Sequence, residues 1–424
     1  LKIEPVWCNL NFPSSIAVGR NGDLLVTECG LPLGGAPSGG RVLRRRHDGL
    51  VTLVAEQLSP PVNGVLVLDH SVIVSIGGHP ARLVRLNGEG TIETLADGFV
   101  GPGNYHLNMA TQGPDEYLYF GVGAMTNTGV VGPDGLNLAW LRQFRHNPDV
   151  PGMPIRLSGQ SFQATDPESG KIVETGAFCE FGHTAVPGQV IPPGNPATAC
   201  IMRCTPDGEC LELVAWGIRN AYGLGFLSDG RLIAVDQGAD ERGLRPVAGA
   251  PDCLFEIKPG RWYGWPDFIG GKPITDPSFA SSRGPVPELV LQNHDELPKP
   301  EKPVMEFPAH SSPTKFAEIP EGVGQFHGHL LIALFGDERP MTATPGPRMG
   351  RSVVRVDPTD WSIHPVRFGD LNRPIDIAIE PETDSVYVVD FGIFEVGDGA
   401  SLRAEPESGR VWRCSLKEMV ASMM

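Results

Sequence analysis

Three groups of residues in this 424-residue chain have types and spacings that can carry chemistry. Between Trp216 and Pro266 an Arg-Asn pair, Arg219 and Asn220, stands at the mouth of a strand. One hairpin later comes the loop Asp236-Gln237-Gly238-Ala239-Asp240. A guanidinium beside a carboxamide offers a fork of donors to ligand oxygens, and it serves equally to tie neighbouring elements together. The loop brings backbone carbonyls close to Asp240, Glu241 and Asp252, oxygen donors that suit a hard cation or a wet surface. The second group is histidine: His106 ahead of a strand, His310, and the pair His327 and His329 around Gly328. A neutral imidazole is a base near physiological pH, while a loop histidine is as often a satisfied structural group. The third group, Cys179, His183, Cys200 and Cys204, has no zinc-type spacing, and disulfides account for it better. Neither a G-x-S-x-G elbow, a P-loop nor a Rossmann glycine pattern occurs, which argues against the common serine hydrolases and nucleotide enzymes.

The elements that must position these groups are repeats. An apolar strand, an Asp-Gly turn or its equivalent, a second strand such as LLVTE or LYFGV, a loop and a basic strand recur six times. The copies begin at Phe12, Asn63, Leu107, Tyr222, Phe326 and Arg373. In the third copy the partner strand CIMRCTPDGEC arrives only after a long detour. Six copies that each make a four-stranded antiparallel blade predict an all-β fold, a six-bladed β-propeller forming a single domain over 1–424, with a long loop insertion in the third blade at 125–199. A loop of that length is expected to act as a lid or binding element. A sandwich of two Greek keys is the structural alternative, but it leaves the recurring turn unexplained. Helical periodicity is confined to LKEMVASMM at the end, expected as a turn or two or a frayed tail.

The order of WG, Arg219-Asn220, YGLGF, the 236–240 loop and Tyr263-Gly264-Trp265-Pro266 resembles the glucose/sorbosone dehydrogenase family, soluble quinoproteins on six-bladed β-propellers. The resemblance implies a dehydrogenase that uses pyrroloquinoline quinone (PQQ) and Ca2+ to oxidise a sugar, a sugar-derived aldehyde or a related alcohol. His106, in Gly103-Asn104-Tyr105-His106-Leu107-Asn108 ahead of a Gly-Pro-Asp hairpin, matches the family's catalytic base. Arg219 and Asn220 match the pair that holds the quinone oxygens, and Arg219 also stabilises charge on the reduced cofactor. Gly238 and Ala239 align with a Gly-Pro whose carbonyls bind calcium. Where the family has a cofactor-binding lysine in the fifth blade, this chain has Arg351 and Ser352. Arg373, before Pro374-Ile375-Asp376, falls at a further carboxylate-binding position. The aromatics of 263–266 are expected to pack in the core. The family's sugar-contacting loops have no recognisable match, so the substrate does not carry over.

A net charge of −16 argues against nucleic acid or an anionic membrane as partner. The arginine-rich run Arg41–His47 is expected as a solvated strand face. No apolar run approaches the roughly 18 residues of a membrane helix. Eight cysteines, with Cys204 and Cys210 around one hairpin turn, Cys8 and Cys414 near the two termini, and Cys179 and Cys200 in the detour, suggest disulfides and an extracytoplasmic location. The chain starts at Leu1 without an export signal, expected as one removed or never present. Two rivals stay open. One is a calcium-dependent, lactonase-like propeller hydrolase with a central metal on Asn63, Asn108, Asn220, Asp236 and Asp376. The other is a non-catalytic binding propeller. The expected partner of the first reading is a small-molecule substrate together with an electron acceptor of unknown identity.

Overall fold

The second strand of every repeat is an apolar run buried along nearly its whole length, which fixes it inside a sheet covered on both faces. In the computed structural model, which describes residues 1–19, 21–68, 71–88, 91–397 and 401–423, six such strands anchor six four-stranded antiparallel sheets. Blade 1 is Pro13–Val18, Leu24–Glu28, Gly40–Arg45 and Val51–Leu58. Blade 2 is Val62–Leu68, Ser71–Ile76, Ala81–Leu86 and Ile92–Phe99. Blade 3 is Leu107–Gln112, Leu118–Val122, Cys200–Cys204 and Leu211–Trp216. Blade 4 is Ala221–Phe226, Leu232–Asp236, Asp252–Glu256 and Met305–Phe307. Blade 5 is Pro313–Glu318, Leu330–Leu334, Ser352–Val356 and Ile363–Val366. The first strands pack against one another in a closed ring. The chain is a six-bladed β-propeller.

Blade 6 is built from both ends of the chain. Pro374–Glu380, Ser385–Asp390 and Gly409–Ser415 are completed on the outside by Ile3–Leu10, with Ile3 opposite Cys414. The repeat pattern, which starts at Phe12, does not reveal this outermost strand. It also starts the fifth copy at Phe326, one strand late, and so misses the innermost strand Pro313–Glu318. The expected turns at residue 20 and at 69–70 lie outside the described residues. The C-terminal segment is a capped helix, Leu416–Ser422, with the Ser415 hydroxyl accepting from the Glu418 amide at 3.1 Å. It buries Leu416, Met419 and Val420, so it is a packed element and not a frayed tail.

The expected disulfides are not formed; all eight cysteines are free. Register explains two of the three pairs. Cys204 lies opposite Leu211, which leaves Cys210 in the turn with its thiol toward Glu212. Cys414 faces Ile3, five residues from Cys8 and thus about 16 Å along the strand. Cys200 points its thiol at the Ala197 carbonyl, 3.3 Å away, while Cys179 is half-buried elsewhere in the 123–199 segment. An oxidising compartment therefore gains no support from covalent structure. No described helix is long and apolar enough to cross a membrane.

The missed inner strand of blade 5 carries the fold's central charge. Lys315, fully buried, donates from Nζ to the carbonyls of Ser14 and Asn63, both at 2.7 Å, and lies 3.3 Å from Asp376 Oδ2. Those partners belong to blades 1, 2 and 6, so the ammonium must reach across the axis. It also lies over the Tyr222 ring of blade 4, 5.6 Å from the centroid. Gly223 makes room for this arrangement, because a Cβ there would stand 2.1 Å from the Thr314 carbonyl oxygen. Asp376 accepts further bonds from Ser15 Oγ at 2.8 Å and the Ile16 amide at 2.9 Å. Burial lowers the Lys315 pKa, opposed by Asp376.

Replacing Lys315 with Met strands a buried carboxylate and should cost about 3–5 kcal/mol, read from urea unfolding. Combined with Asp376→Asn, the loss should be clearly smaller than the sum of the two single losses. Strict additivity would show that the pair is not coupled.

Candidate active site

Four antiparallel strands per blade send the connections between blades, and those between second and third strands, to one end of the ring, here called the upper face. His106, Arg219, Asn220, Gly238, Ala239, Arg351 and Arg373 all belong to such connections or their edges. The 123–199 segment joins the second and third strands of blade 3 and carries two strand pairs and two short helices, so it is not one bare loop.

Arg219 is the best-anchored of these residues. Its Nη1 donates to Asn127 Oδ1 at 2.7 Å and lies 3.3 Å from Asp240 Oδ2, and its Nε donates to the Gln237 carbonyl at 2.7 Å. The guanidinium stacks over Tyr105, 4.5 Å from the ring centroid. Burial pushes the Asp240 carboxyl up, but Arg219 and Arg242 outweigh it and hold its pKa below the usual value. Asn220 donates from Nδ2 to Gln237 Oε1 and accepts from Asn108 Nδ2, both at 2.8 Å. Its amide donates to Asp236 Oδ1 at 2.7 Å. Asn127, which sequence patterns did not single out, holds this corner together. Its side-chain oxygen also accepts from the Asp240 amide, and its Nδ2 donates to the carbonyls of Asp240 and Arg242. An isolated asparagine, 92 positions from its arginine partner, leaves no local signal.

His106 borders the same corner. The Gly123 amide donates to its carbonyl at 2.9 Å, and a Cβ on Gly123 would stand 2.9 Å from Asn220 Oδ1 and 3.0 Å from the His106 nitrogen. Glycine is required where the three connections meet this tightly. The imidazole has no hydrogen-bond partner among the described residues, and burial alone lowers its pKa to about 4. At neutral pH it is an uncharged ring with its lone pair unclaimed. Two carboxyls nearby shift the other way: burial raises Asp236 to about 6 and Asp252 to about 7.

Arg351 and Arg373 meet on a carboxylate supplied by the chain. Arg351 Nη1 and Nη2 donate to Glu395 Oε1 and Oε2 at 2.6 and 2.7 Å, a two-pronged pair. Arg373 donates from Nε to the Phe394 carbonyl at 2.6 Å, and its Nη2 lies 3.6 Å from Glu395 Oε2. Glu338 interacts electrostatically with both Arg373 and Arg242, which links this cluster to the Arg219 corner.

Gly238 is held by its amide to Asp252 Oδ1 at 2.7 Å, and Ala239 packs with Val247, Ala250 and Phe279. Among the described residues no three His, Cys, Asp or Glu side chains converge as a metal-ligand group, the Cys179–His183–Cys200–Cys204 set included. Of the groups expected for a central metal, Asp376 and the Asn63 carbonyl are instead partners of the Lys315 ammonium, while Asn108, Asn220 and Asp236 lie together on the upper face. His327 and His329 belong to the lower-face turn of blade 5, not to its upper entrance, and His329 Nδ1 pairs with Arg355 at 2.7 Å. His310 stays on the upper face, 3.7 Å from Asp240. Trp262 stacks on Trp216 with centroids 6.2 Å apart, and Tyr263 and Trp265 are buried core residues. Arg41 pairs with Glu28 along the third strand of blade 1. A cavity of about 860 Å³ opens on the lower face, by Gly19, His47, Gln112, Glu116 and Glu380, and touches none of the expected site residues.

No protein-family model and no curated protein sequence matches the chain. Solved structures do. An oxidoreductase from Thermus thermophilus assigned as a glucose dehydrogenase shares 18% identity, with 97% of this chain and 99% of that one covered and a TM-score of 0.58. The PQQ domain of pyranose dehydrogenase from Coprinopsis cinerea, in its holo form, shares 15% identity over 97% and 94%, with a TM-score of 0.56. The soluble aldose sugar dehydrogenase of Escherichia coli, in its apo form, shares 13% over 97% and 98%, with a TM-score of 0.55. At these identities the likeness establishes a shared propeller fold.

Asn127→Ala should destabilise the protein by about 1–3 kcal/mol in denaturant titration, because it leaves the Arg219 guanidinium and the Asp240 amide short of partners. A loss below about 0.5 kcal/mol would show that Arg219 is positioned without it.

Proposed function

We propose that the upper face is the active site of a PQQ-dependent dehydrogenase that oxidises a sugar, a sugar-derived aldehyde or a related alcohol. One observation carries the reading: an uncharged, unpartnered imidazole shares a face with a guanidinium pair that already holds a carboxylate. That carboxylate, from Glu395, is a stand-in within the chain, and its pairing supports the reading that Arg351 and Arg373 would take the acid groups of a tricarboxylate cofactor. The likeness in fold to sugar dehydrogenases, one of them a PQQ domain, supports the same reading.

In this reading PQQ, when bound, supplies the two-electron acceptor. Arg219 and Asn220 would hold its quinone oxygens, and Arg351 and Arg373 its carboxylates. The carbonyls of Gly238 and Ala239 would bind Ca2+ beside it. His106 takes the proton of the substrate hydroxyl at a ring nitrogen, a role that needs the neutral imidazole burial provides. Arg219, held by Asn127 and Asp240, keeps a fixed positive charge where negative charge develops. The 123–199 segment, through Asn127, is part of the site and would cover it on one side.

Calorimetric titration of PQQ into metal-stripped protein, with and without Ca2+, should give one-to-one, calcium-dependent binding. Absence of binding under both conditions overturns the proposal. In dye-reduction assays His106→Ala should lower kcat by about 10²- to 10⁴-fold with PQQ affinity kept, and undiminished turnover would remove His106 as the base.

The pH profile supplies an independent readout. The folded pKa of His106 lies below its ordinary value of about 6.5, so the base stays unprotonated until the pH falls toward 4. The acid limb of kcat/KM should therefore lie near pH 4, and a limb near 6.5 would assign the base to another group.

A further inference from the structure

The hairpin formed by Phe394–Val396 and Leu402–Ala404 stands between the second and third strands of blade 6 and delivers Glu395 to three guanidiniums. Arg351 grips it with both nitrogens, while Arg373 Nη2 and Arg348 Nη2 each remain 3.6 Å away, beyond hydrogen-bond distance. The neighbouring carboxylates are used elsewhere. Asp390 accepts from the amides of Asn372, Arg373 and Gly392, and Asp337 from those of Arg339 and Met349. Glu338 lies within electrostatic reach of Arg373, but among the described residues Glu395 is the carboxylate that hydrogen-bonds to this cluster.

The partners differ in what leaving would cost them. The Glu395 side chain is 31% exposed and has water at hand, whereas those of Arg351 and Arg373 are 12% and 1% exposed. A carboxylate near the surface can be rehydrated at small cost, but the buried guanidiniums need an anion in place. The pairing with Arg351 also lowers the Glu395 pKa, keeping the side chain anionic. An incoming carboxylate would exchange one two-pronged bond for another and gain the underused Arg373 donor.

We infer that Arg351 and Arg373 form a carboxylate-binding site whose internal, exchangeable occupant is Glu395. A ligand carboxylate binds by taking its place, and Glu395 therefore weakens that ligand by competition. The identity of the ligand as PQQ rests on the function proposed above; the exchange does not. A tethered competitor acts at an effective concentration in the millimolar range, so its removal should tighten binding at least ten-fold.

The test is calorimetry with two probes, PQQ in the presence of Ca2+ and citrate as a plain tricarboxylate without it, on wild type, Glu395→Gln and Arg351→Met. Glu395→Gln should bind at least ten-fold more tightly than wild type, and Arg351→Met should lose that gain. Hydrogen exchange at 394–396 in the wild-type protein should speed up when the ligand binds, a readout that holds even if a variant folds poorly. Citrate binding of this pattern without PQQ binding would sink the quinone reading and leave the exchange standing. The inference is overturned by equal or weaker binding to Glu395→Gln, by undisturbed exchange at 394–396 in a liganded wild type, or by failure of both probes to bind any of the proteins.

Discussion

The ammonium of Lys315 is shared by five of the six blades. It rises from blade 5, takes carbonyls from blades 1 and 2 and a carboxylate from blade 6, and lies against the tyrosine face of blade 4. A ring of sheets has no element in its middle, so the innermost backbone groups at the axis must find partners across it or meet water. Here one long side chain meets that demand, and Asp376 neutralises it while binding the first strand of blade 1. The angular positions of the inner strands, and with them the connections that bear His106, Arg219 and Arg373, are set from this point outward.

The upper face repeats the same economy with more charges. Arg219, Asp240, Arg242 and Tyr105 form one buried set, with Asn127 reaching in from the segment inserted in blade 3. Arg351, Arg373 and Glu395 form another, and Glu338 stands between them. Most polar atoms here are spoken for within the chain. The His106 ring has no hydrogen-bond partner among the described residues, which sets it apart from the arginines and carboxylates that brace this face.

Much of the architecture could be read before any coordinates, because burial of the second strands leaves its mark on every repeat. Where the reading slipped, the physics differs. Pro313–Glu318 carries a lysine and a glutamate, so it lacks the apolar run that marks its counterparts, and the charge that hid it is the one that holds the axis. Ile3–Leu10 is an edge strand, exposed at several positions, and its partner lies some four hundred residues away in sequence. The disulfides failed on register: a one-residue offset across a hairpin, or five along a strand, is invisible in an even count of cysteines. Within the candidate site, the upper-face placement of the Arg-Asn pair and His106 was legible from their flanking motifs. Asn127 and Glu395 were not, since each acts on residues more than twenty positions distant and sits in no recurring pattern.

Completion of blade 6 by the first strand carries a consequence for biogenesis. Residues 3–10 are made some four hundred residues before the strand they pair with, 409–415. Until 409–415 emerges, the nascent propeller is an open arc with one unmatched sheet edge at each end, a surface that invites pairing between chains. Crowded polysomes would therefore test this protein harder than dilute refolding does. Linking the 3–10 strand directly behind the 409–415 side of blade 6 and opening the chain at an upper-face loop would let that blade assemble from contiguous sequence and shorten the exposure.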